Sequence, residues 1–300
     1  MRSLWQACLW QLSQFNRLHQ SFPGRWRVCA FIQHQSSHLA SLPAGPAKVA
    51  RDTFLYLNPQ EQFDGLKTII HGLNPREPLS NVALQLLRPG DNALDVGANV
   101  GYFSALASMA VGKQGQVFAF EASPSTYERL QTLAKANAFN NIKTFEVAVS
   151  DQAGELQFHC GPPDHTGTAS LRDLEDRTSS ITRVKAVALD DLLDTLPAIR
   201  LIKIDVEGAE TLVAQGMAKL IERDQPYVLT EVTDKFLQSM GSSKAGLLDF
   251  YMARGYSPYR VQRNIVPYRE EDEYQCDVLM VPRNSKPLTF DAQLAERITW

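Results

Sequence analysis

Four ionisable side chains stand close together in "LIKIDVEGAETL", residues 201–212: Lys203, Asp205, Glu207 and Glu210. Acids at this density can ligate a hard divalent cation, act as general acid or base, or sit at a helix entrance. Lys203 precedes Asp205 by two residues, so a strand through "LIKID" carries both on one face. A lysine buried on a central strand needs a carboxylate partner, and Asp205 or Glu231 is the expected one. Such a pair could orient an acceptor group, or be a purely structural ion pair. Glu207 lies at the turn before Gly208. Glu210 falls in the first turn of the next helix, where an acid complements the helix dipole. Oxygen ligands would suit Mg²⁺, but the sequence offers no second acid cluster, and no metal is assigned.

A second constellation is "LDVGANVGYFS", residues 94–104, followed by "FAFEASP", residues 118–124. The first reads as strand, glycine turn and helix. Gly97 and Gly101 permit a tight turn and a close ligand, and the free N–H groups of the following helix point at that ligand. Asp95 ends the first strand and Glu121 ends the second. In a doubly wound sheet, Glu121 occupies the place of the acid that accepts both hydroxyls of a ribose. A 2′-phosphate would be repelled there. NAD needs a third glycine against its pyrophosphate, and the G-x-N-x-G spacing lacks it. A methionine amino group wants an acid beside the turn, and Asp95 supplies one. The pattern favours S-adenosylmethionine over NAD. An NAD-binding oxidoreductase and a non-catalytic cofactor-binding protein on the same fold are the alternatives.

These residues need a frame to hold them. Short strands are read at 92–96, 116–121, 142–150, 199–205 and 226–232, alternating with helices over 101–111, "SPSTYERLQTLAKANAF", "AETLVAQGMAKLI" and "KAGLLDFYMARG". That alternation predicts a parallel sheet with helices on both faces. "YSPYRV" and "CDVLMVP", joined without a helix, predict an antiparallel hairpin at one edge. Pro124 and a Ser125–Glu128 capping box start the second helix. Asp190 and Asp191 cap a short helix. Residues 151–198 are less regular, with alternating pieces "ELQFH" and "VKAVAL". Within them "GPPDHTGTASL" reads as a loop over the site, offering His165 as acceptor contact or general base and Arg172 for an anionic acceptor.

At 300 residues, with 44% hydrophobic and 21% charged residues, the chain has an ordinary globular composition. A net charge of −3 gives no indication of a nucleic-acid partner. Cys8, Cys29, Cys160 and Cys276 are too dispersed for a zinc site or a disulfide framework and suit a reducing, cytoplasmic compartment. Residues 1–51 hold no Asp or Glu but do hold Arg2, Arg17, Arg25, Arg27, Lys48 and Arg51. Leu4, Trp5, Cys8, Leu12, Phe15, Leu18 and Phe22 share a helical face, ended by Pro23-Gly24. That face either packs on the body of the protein or lies, through residues 1–27, on the inner surface of a membrane. An acid-free start of this kind also resembles an organellar transit peptide. Residues 33–48 read as a polar loop or linker.

"LDVGANVGYFS", "FAFEASP", "VALDDLL", "LIKIDVEGAE" and "VLTEV" stand in the order and spacing of the FkbM-type methyltransferases, and the chain resembles that family over roughly residues 52–282. The resemblance implies a Rossmann-like class I methyltransferase fold with a mostly parallel seven-stranded sheet. It implies O-methyl transfer from S-adenosylmethionine to a hydroxyl of a sugar, glycolipid, polyketide or similar small molecule. Carried over by position, Asp95, Gly97, Asn99 and Gly101 line the methionine part of the cofactor, Glu121 holds the ribose, and Ser150 and Asp151 lie near the adenine. Asp205, Lys203, Glu231, Glu207 and His165 are the candidates for the chemistry, with Asp205 first. "REP" at 76–78 departs from the family's Tyr-Glu-Pro, which leaves Glu77 without an assigned role. The expected organisation is a basic helical extension over 1–51, a lead-in over 52–91, a methyltransferase domain over 92–283 and a tail over 284–300.

Overall fold

The structure is a computed structural model that describes residues 8–9, 11–13, 25–35, 45–50, 53–57, 78–160, 169–171, 180–262, 265–269 and 275–285. Helix α1 spans Arg25–His34, and strands β1 (Gly45–Ala50) and β2 (Thr53–Leu57) form an antiparallel hairpin. The stretch read as a linker over 33–48 therefore ends in a strand. Polar composition hid this, because among the described side chains of the hairpin only Ala47, Leu55 and Leu57 are buried. Ala47, Leu55 and Leu57 join Leu9, Ile32, Val82, Leu106, Leu130 and Leu133 in one hydrophobic cluster. The Asn137 side chain accepts from the Phe54 N–H and donates to the Phe54 carbonyl, closing the edge of β2 as another strand would.

Helix α2 (Pro78–Leu86) leads into β3 (Asn92–Val96), α3 (Tyr102–Val111), β4 (Gln116–Glu121), α4 (Pro124–Ala136) and β5 (Ile142–Glu146). Strands β6 (Ala148–Val149), β7 (Gly154–Cys160) and β8 (Ser180–Val187) follow, then β9 (Leu201–Ile204), α5 (Glu210–Gln215) and α6 (Ala218–Asp224). The chain continues through β10 (Tyr227–Thr233), α7 (Asp234–Ser239), α8 (Lys244–Met252), β11 (Tyr256–Val261), β12 (Ile265–Pro267) and β13 (Gln275–Pro282).

The main sheet runs β12-β11-β13-β10-β9-β3-β4-β5. Strands β5, β4, β3, β9 and β10 are parallel, and β13 enters antiparallel between β10 and β11. This is the doubly wound class I arrangement the motifs predict. The three-residue β12 adds an eighth strand at the edge. Alternate residues of the strands face two separate clusters. Ala93, Val117, Leu201 and Leu229 pack with α2, α3 and α4. Leu94, Phe118, Ile202 and Val228 pack with α5, α6 and α8.

Four local expectations change. The strand expected over 142–150 divides: Val147 N–H makes the last bond to Glu121, after which β4 has turned toward α4 and offers no further partner. Strand β6 then pairs with β8, and β8 with β7, in a small accessory sheet with its own apolar cluster. The helix expected after "VEG" breaks at Gly216, where an added Cβ would stand 1.9 Å from the Ser150 carbonyl oxygen. Asp190 caps the second piece by accepting from Lys219 and Leu220 N–H, and not its own short 3-10 turn. At α4 the N-cap is Ser123 with Pro124 following, and the Ser125–Glu128 box does not form at that position. Proline's fixed φ sets the first helical residue, which moves the cap ahead of Ser125.

Candidate functional site

The parallel strands end along one rim, where ligands of doubly wound sheets bind. Register decides which side chains meet there. Asp95 pairs directly with Lys203 across β3 and β9, and the β9–β10 register carries Asp205 beside Glu231.

The turn after β3 is built on backbone geometry. Gly97 has φ +74°, and a Cβ there would stand 1.9 Å from the Asp205 carbonyl oxygen. Only glycine lets the two strand ends approach this closely. Gly97 and Ala98 N–H both donate to the Phe120 carbonyl, fastening the turn to β4. Asn99 has φ +49°, a left-handed conformation that asparagine tolerates. Its N–H donates to Glu121 Oε2 at 2.8 Å, while Ser123 N–H donates to Oε1 at 2.8 Å. Two backbone donors therefore fix the Glu121 carboxylate in one orientation. Burial pushes its pKa up to about 7, against the pull of the Ser123 and Asn99 N–H groups.

Asp95 lies beneath the turn and is fully buried. Ser104 Oγ, on α3, donates to its Oδ2 at 2.6 Å, and Lys203 Nζ stands 3.6 Å from Oδ1. Burial lifts the Asp95 pKa, with Lys203 and Ser104 opposing it. It stands behind the turn, against Ser104 and Lys203. That ammonium donates to the Gly97 carbonyl at 2.8 Å and pairs with Asp205 at 3.3 Å. Burial opposes the charge on Lys203, yet Asp205 and Asp95 outweigh it and hold the pKa above its ordinary value. Lys203 thus joins the β3 turn to the end of β9. Its partners are Asp205 and Asp95, and the Asp95 contact is one the sequence reading missed.

An open cleft runs along the rim. Gly97, Asn99, Glu121, Asp205 and Glu207 line its polar end, and Phe120, Ala122, Val149, Phe158 and Leu171 its apolar end. The carboxylates of Asp205, Glu207 and Glu231 each place an oxygen within 4.8 Å of the other two. The acids that meet therefore include Glu231 from β10, and Glu210 is not one of them. Glu210 folds back, and its Oε1 accepts from Val206 N–H at 3.2 Å and Gly208 N–H at 3.1 Å. This clamps the turn that holds Glu207 at φ +55°. Glu210 is buried, and burial pushes its pKa up to about 7 against the hydrogen bond from Gly208.

Gly101, with φ +91°, lies against Leu130 and Leu133 of α4 and serves helix packing. Ser150 is buried off the cleft, its Oγ donating to Asp151 Oδ1 at 3.0 Å, while Val147, Ala148 and Val149 just before it line the wall. Phe158 and Leu171, which the sequence reading did not single out, complete that wall. The alternation in "ELQFH" is the signal that could have found Phe158. His165, Arg172 and Glu77 lie outside the described residues.

The strand order and the helices on both faces define a doubly wound protein of the class I methyltransferase type. A model of the methyltransferase FkbM domain matches residues 95–258, and the chain belongs to that family. It is 26% identical over 165 residues to the hexuronic acid methyltransferase AglP of Haloferax volcanii, covering 54% of this chain and 64% of that protein. It is 28% identical over 185 residues to the 2-O-methyltransferase NoeI of Sinorhizobium fredii, covering 54% of this chain and 74% of the relative. The Haloferax volcanii relative is thus matched over less than two thirds of its length. Among solved structures, an FkbM methyltransferase from Methylobacillus flagellatus aligns with 14% identity and a TM-score of 0.45, over 72% of this chain and 52% of that one.

Proposed function

We propose that the protein is an S-adenosylmethionine-dependent O-methyltransferase whose acceptor is a hydroxyl of a sugar or a similar small molecule. The observation that carries this reading is the Glu121 carboxylate, fixed by two backbone donors at the end of the second parallel strand and facing the cleft. Among the described residues, each oxygen accepts a single protein hydrogen bond, which leaves acceptor capacity for the two hydroxyls of a ribose. The Gly97 turn supplies close backbone approach for the rest of the cofactor. Relatives named for hexuronic acid methylation and 2-O-methylation support a sugar-type acceptor.

S-adenosylmethionine, when bound, supplies an electrophilic methyl group. The protein's own contribution is alignment and proton removal. Asp205, Glu207 and Glu231 gather on the rim at the ends of β9 and β10, where they can orient a hydroxyl and accept its proton. Lys203 fixes Asp205 and the Gly97 carbonyl together, so the acceptor acids and the cofactor turn move as one body. Glu210 does the same for Glu207 through the turn it clamps.

Equilibrium binding of S-adenosylhomocysteine, followed by tritium transfer from labelled S-adenosylmethionine to a panel of sugars, tests the proposal. Saturable binding, its loss in Glu121→Ala, and label in a sugar hydroxyl are the expected results. Normal binding in Glu121→Ala would remove the site assignment. Label that appears only in nitrogen- or carbon-linked products would remove O-methylation.

A further inference from the structure

The cleft changes character at Glu121. On one side the carboxylate holds Asn99 N–H, which belongs to the polar end; on the other, the Glu121 carbonyl accepts from Val147 N–H, where the apolar wall begins. A ribose on Glu121 therefore has two neighbours, one rich in acids and one made of carbon. A planar base belongs to the second, because apolar walls favour a flat aromatic surface and offer it stacking.

The apolar wall is supplied largely by the accessory sheet. His159 and Ser170 exchange both backbone hydrogen bonds, at 2.8 and 3.0 Å, so they point to one face of that pairing. Their neighbours Phe158, Ala169 and Leu171 point to the other face, and all three line the cleft. Phe158 is 6% exposed and packs in one cluster with Ala148, Val184 and Ala186. The alternation that buries Phe158 leaves Ile181, paired with His159, 61% exposed on the opposite face.

We propose that the accessory sheet is the base-recognition element of this protein, and that Phe158, with Leu171 beside it, limits the size of the base the cleft admits. This rests on the reading of an S-adenosyl cofactor on Glu121. Phe158 is a specificity-determining residue by shape: its ring bounds the compartment, and a smaller side chain enlarges it without touching Glu121, Lys203 or the acids.

The test is calorimetric binding of S-adenosylhomocysteine and of its N6-benzyl derivative to the full chain and to Phe158→Ala, Phe158→Leu and Ile181→Ala. The wild-type chain is expected to bind the first ligand and exclude the second. Phe158→Ala should bind S-adenosylhomocysteine about tenfold more weakly and the benzyl derivative at least about tenfold more tightly than the wild type does. Phe158→Leu keeps the wall packed and should fall between them, which carries the test if the alanine variant does not fold. Ile181→Ala should match the wild type. Wild-type affinity for the benzyl derivative equal to that for the parent overturns the proposal, as does a folded Phe158→Leu or Phe158→Ala indistinguishable from wild type with both ligands. A wild-type chain that binds neither ligand overturns the cofactor reading itself and takes this proposal with it.

Discussion

At the scale of single residues, the site works by fixing charges in place. Glu121 is held by two N–H groups yet stays prone to protonation, because burial pushes its pKa up to about 7. A ribose diol donates to the ionised form, so binding should strengthen as pH rises through about 7 and level off above it. Below that pH the affinity should change up to about tenfold per pH unit, the slope of one proton released. Titrating adenosine, which carries the diol without the amino-acid moiety, between pH 5.5 and 8.5 measures this. Glu121→Gln should give a flat profile; a sloping profile in that variant would assign the proton elsewhere. The pattern of acids in sequence announced Asp95, Glu121, Asp205 and Glu207, with Glu121 expected on a ribose, Asp95 beside a methionine amino group and Asp205 first for the chemistry. Asp95 sits behind the turn on Ser104 and Lys203, a consequence of a cross-strand register that no local pattern encodes.

Among elements, the turn from β9 into α5 is the one that carries Glu207 on the proposed acceptor side, and Glu210 is its clamp. Its folded pKa of about 7 lies above the ordinary glutamate value of 4.5. The folded state thus keeps a proton that the unfolded chain loses, so its contribution to stability is greatest at low pH. It falls as pH rises from 4.5 through 7, by about 1.4 kcal/mol per pH unit for the one proton. Urea unfolding at pH 5 and pH 6.5 should show this fall, and Glu210→Gln should remove one proton's worth of it while keeping an oxygen for the Val206 and Gly208 N–H groups. An unchanged slope would mean that Glu210 ionises freely in the fold. The helix-entrance reading of Glu210 had the element right. The tertiary fold changed its meaning by burying the carboxylate, which a solvated first-turn acid does not undergo.

Across the whole molecule, the N-terminal segments share the core of the methyltransferase domain. Leu9, Ile32, Leu55 and Leu57 are buried with Leu130 and Leu133 of α4, so Leu9 is occupied by packing. The membrane reading of residues 1–27 rested on an apolar face of which most residues lie outside those described. Among the described residues, no helix is long and apolar enough to cross a membrane. Leu55→Ala should cost about 2–5 kcal/mol in one shared unfolding transition, read by calorimetry. A separate early transition, with the main one unmoved, would show that the hairpin folds on its own.

The sequence by itself determined the alternating α/β order, the glycine turn, the acids at the strand ends and the family. These signals are local: periodicity, turn chemistry and motif spacing are written along the chain. The tertiary structure decided which charges meet, because strand order puts β9 beside β3 and so Lys203 against Asp95. It also decided that Glu231 joins Asp205 and Glu207, and that Phe158 and Leu171 wall the cleft. Contacts between residues far apart in sequence follow from register and sheet order, which depend on the packing of the whole core.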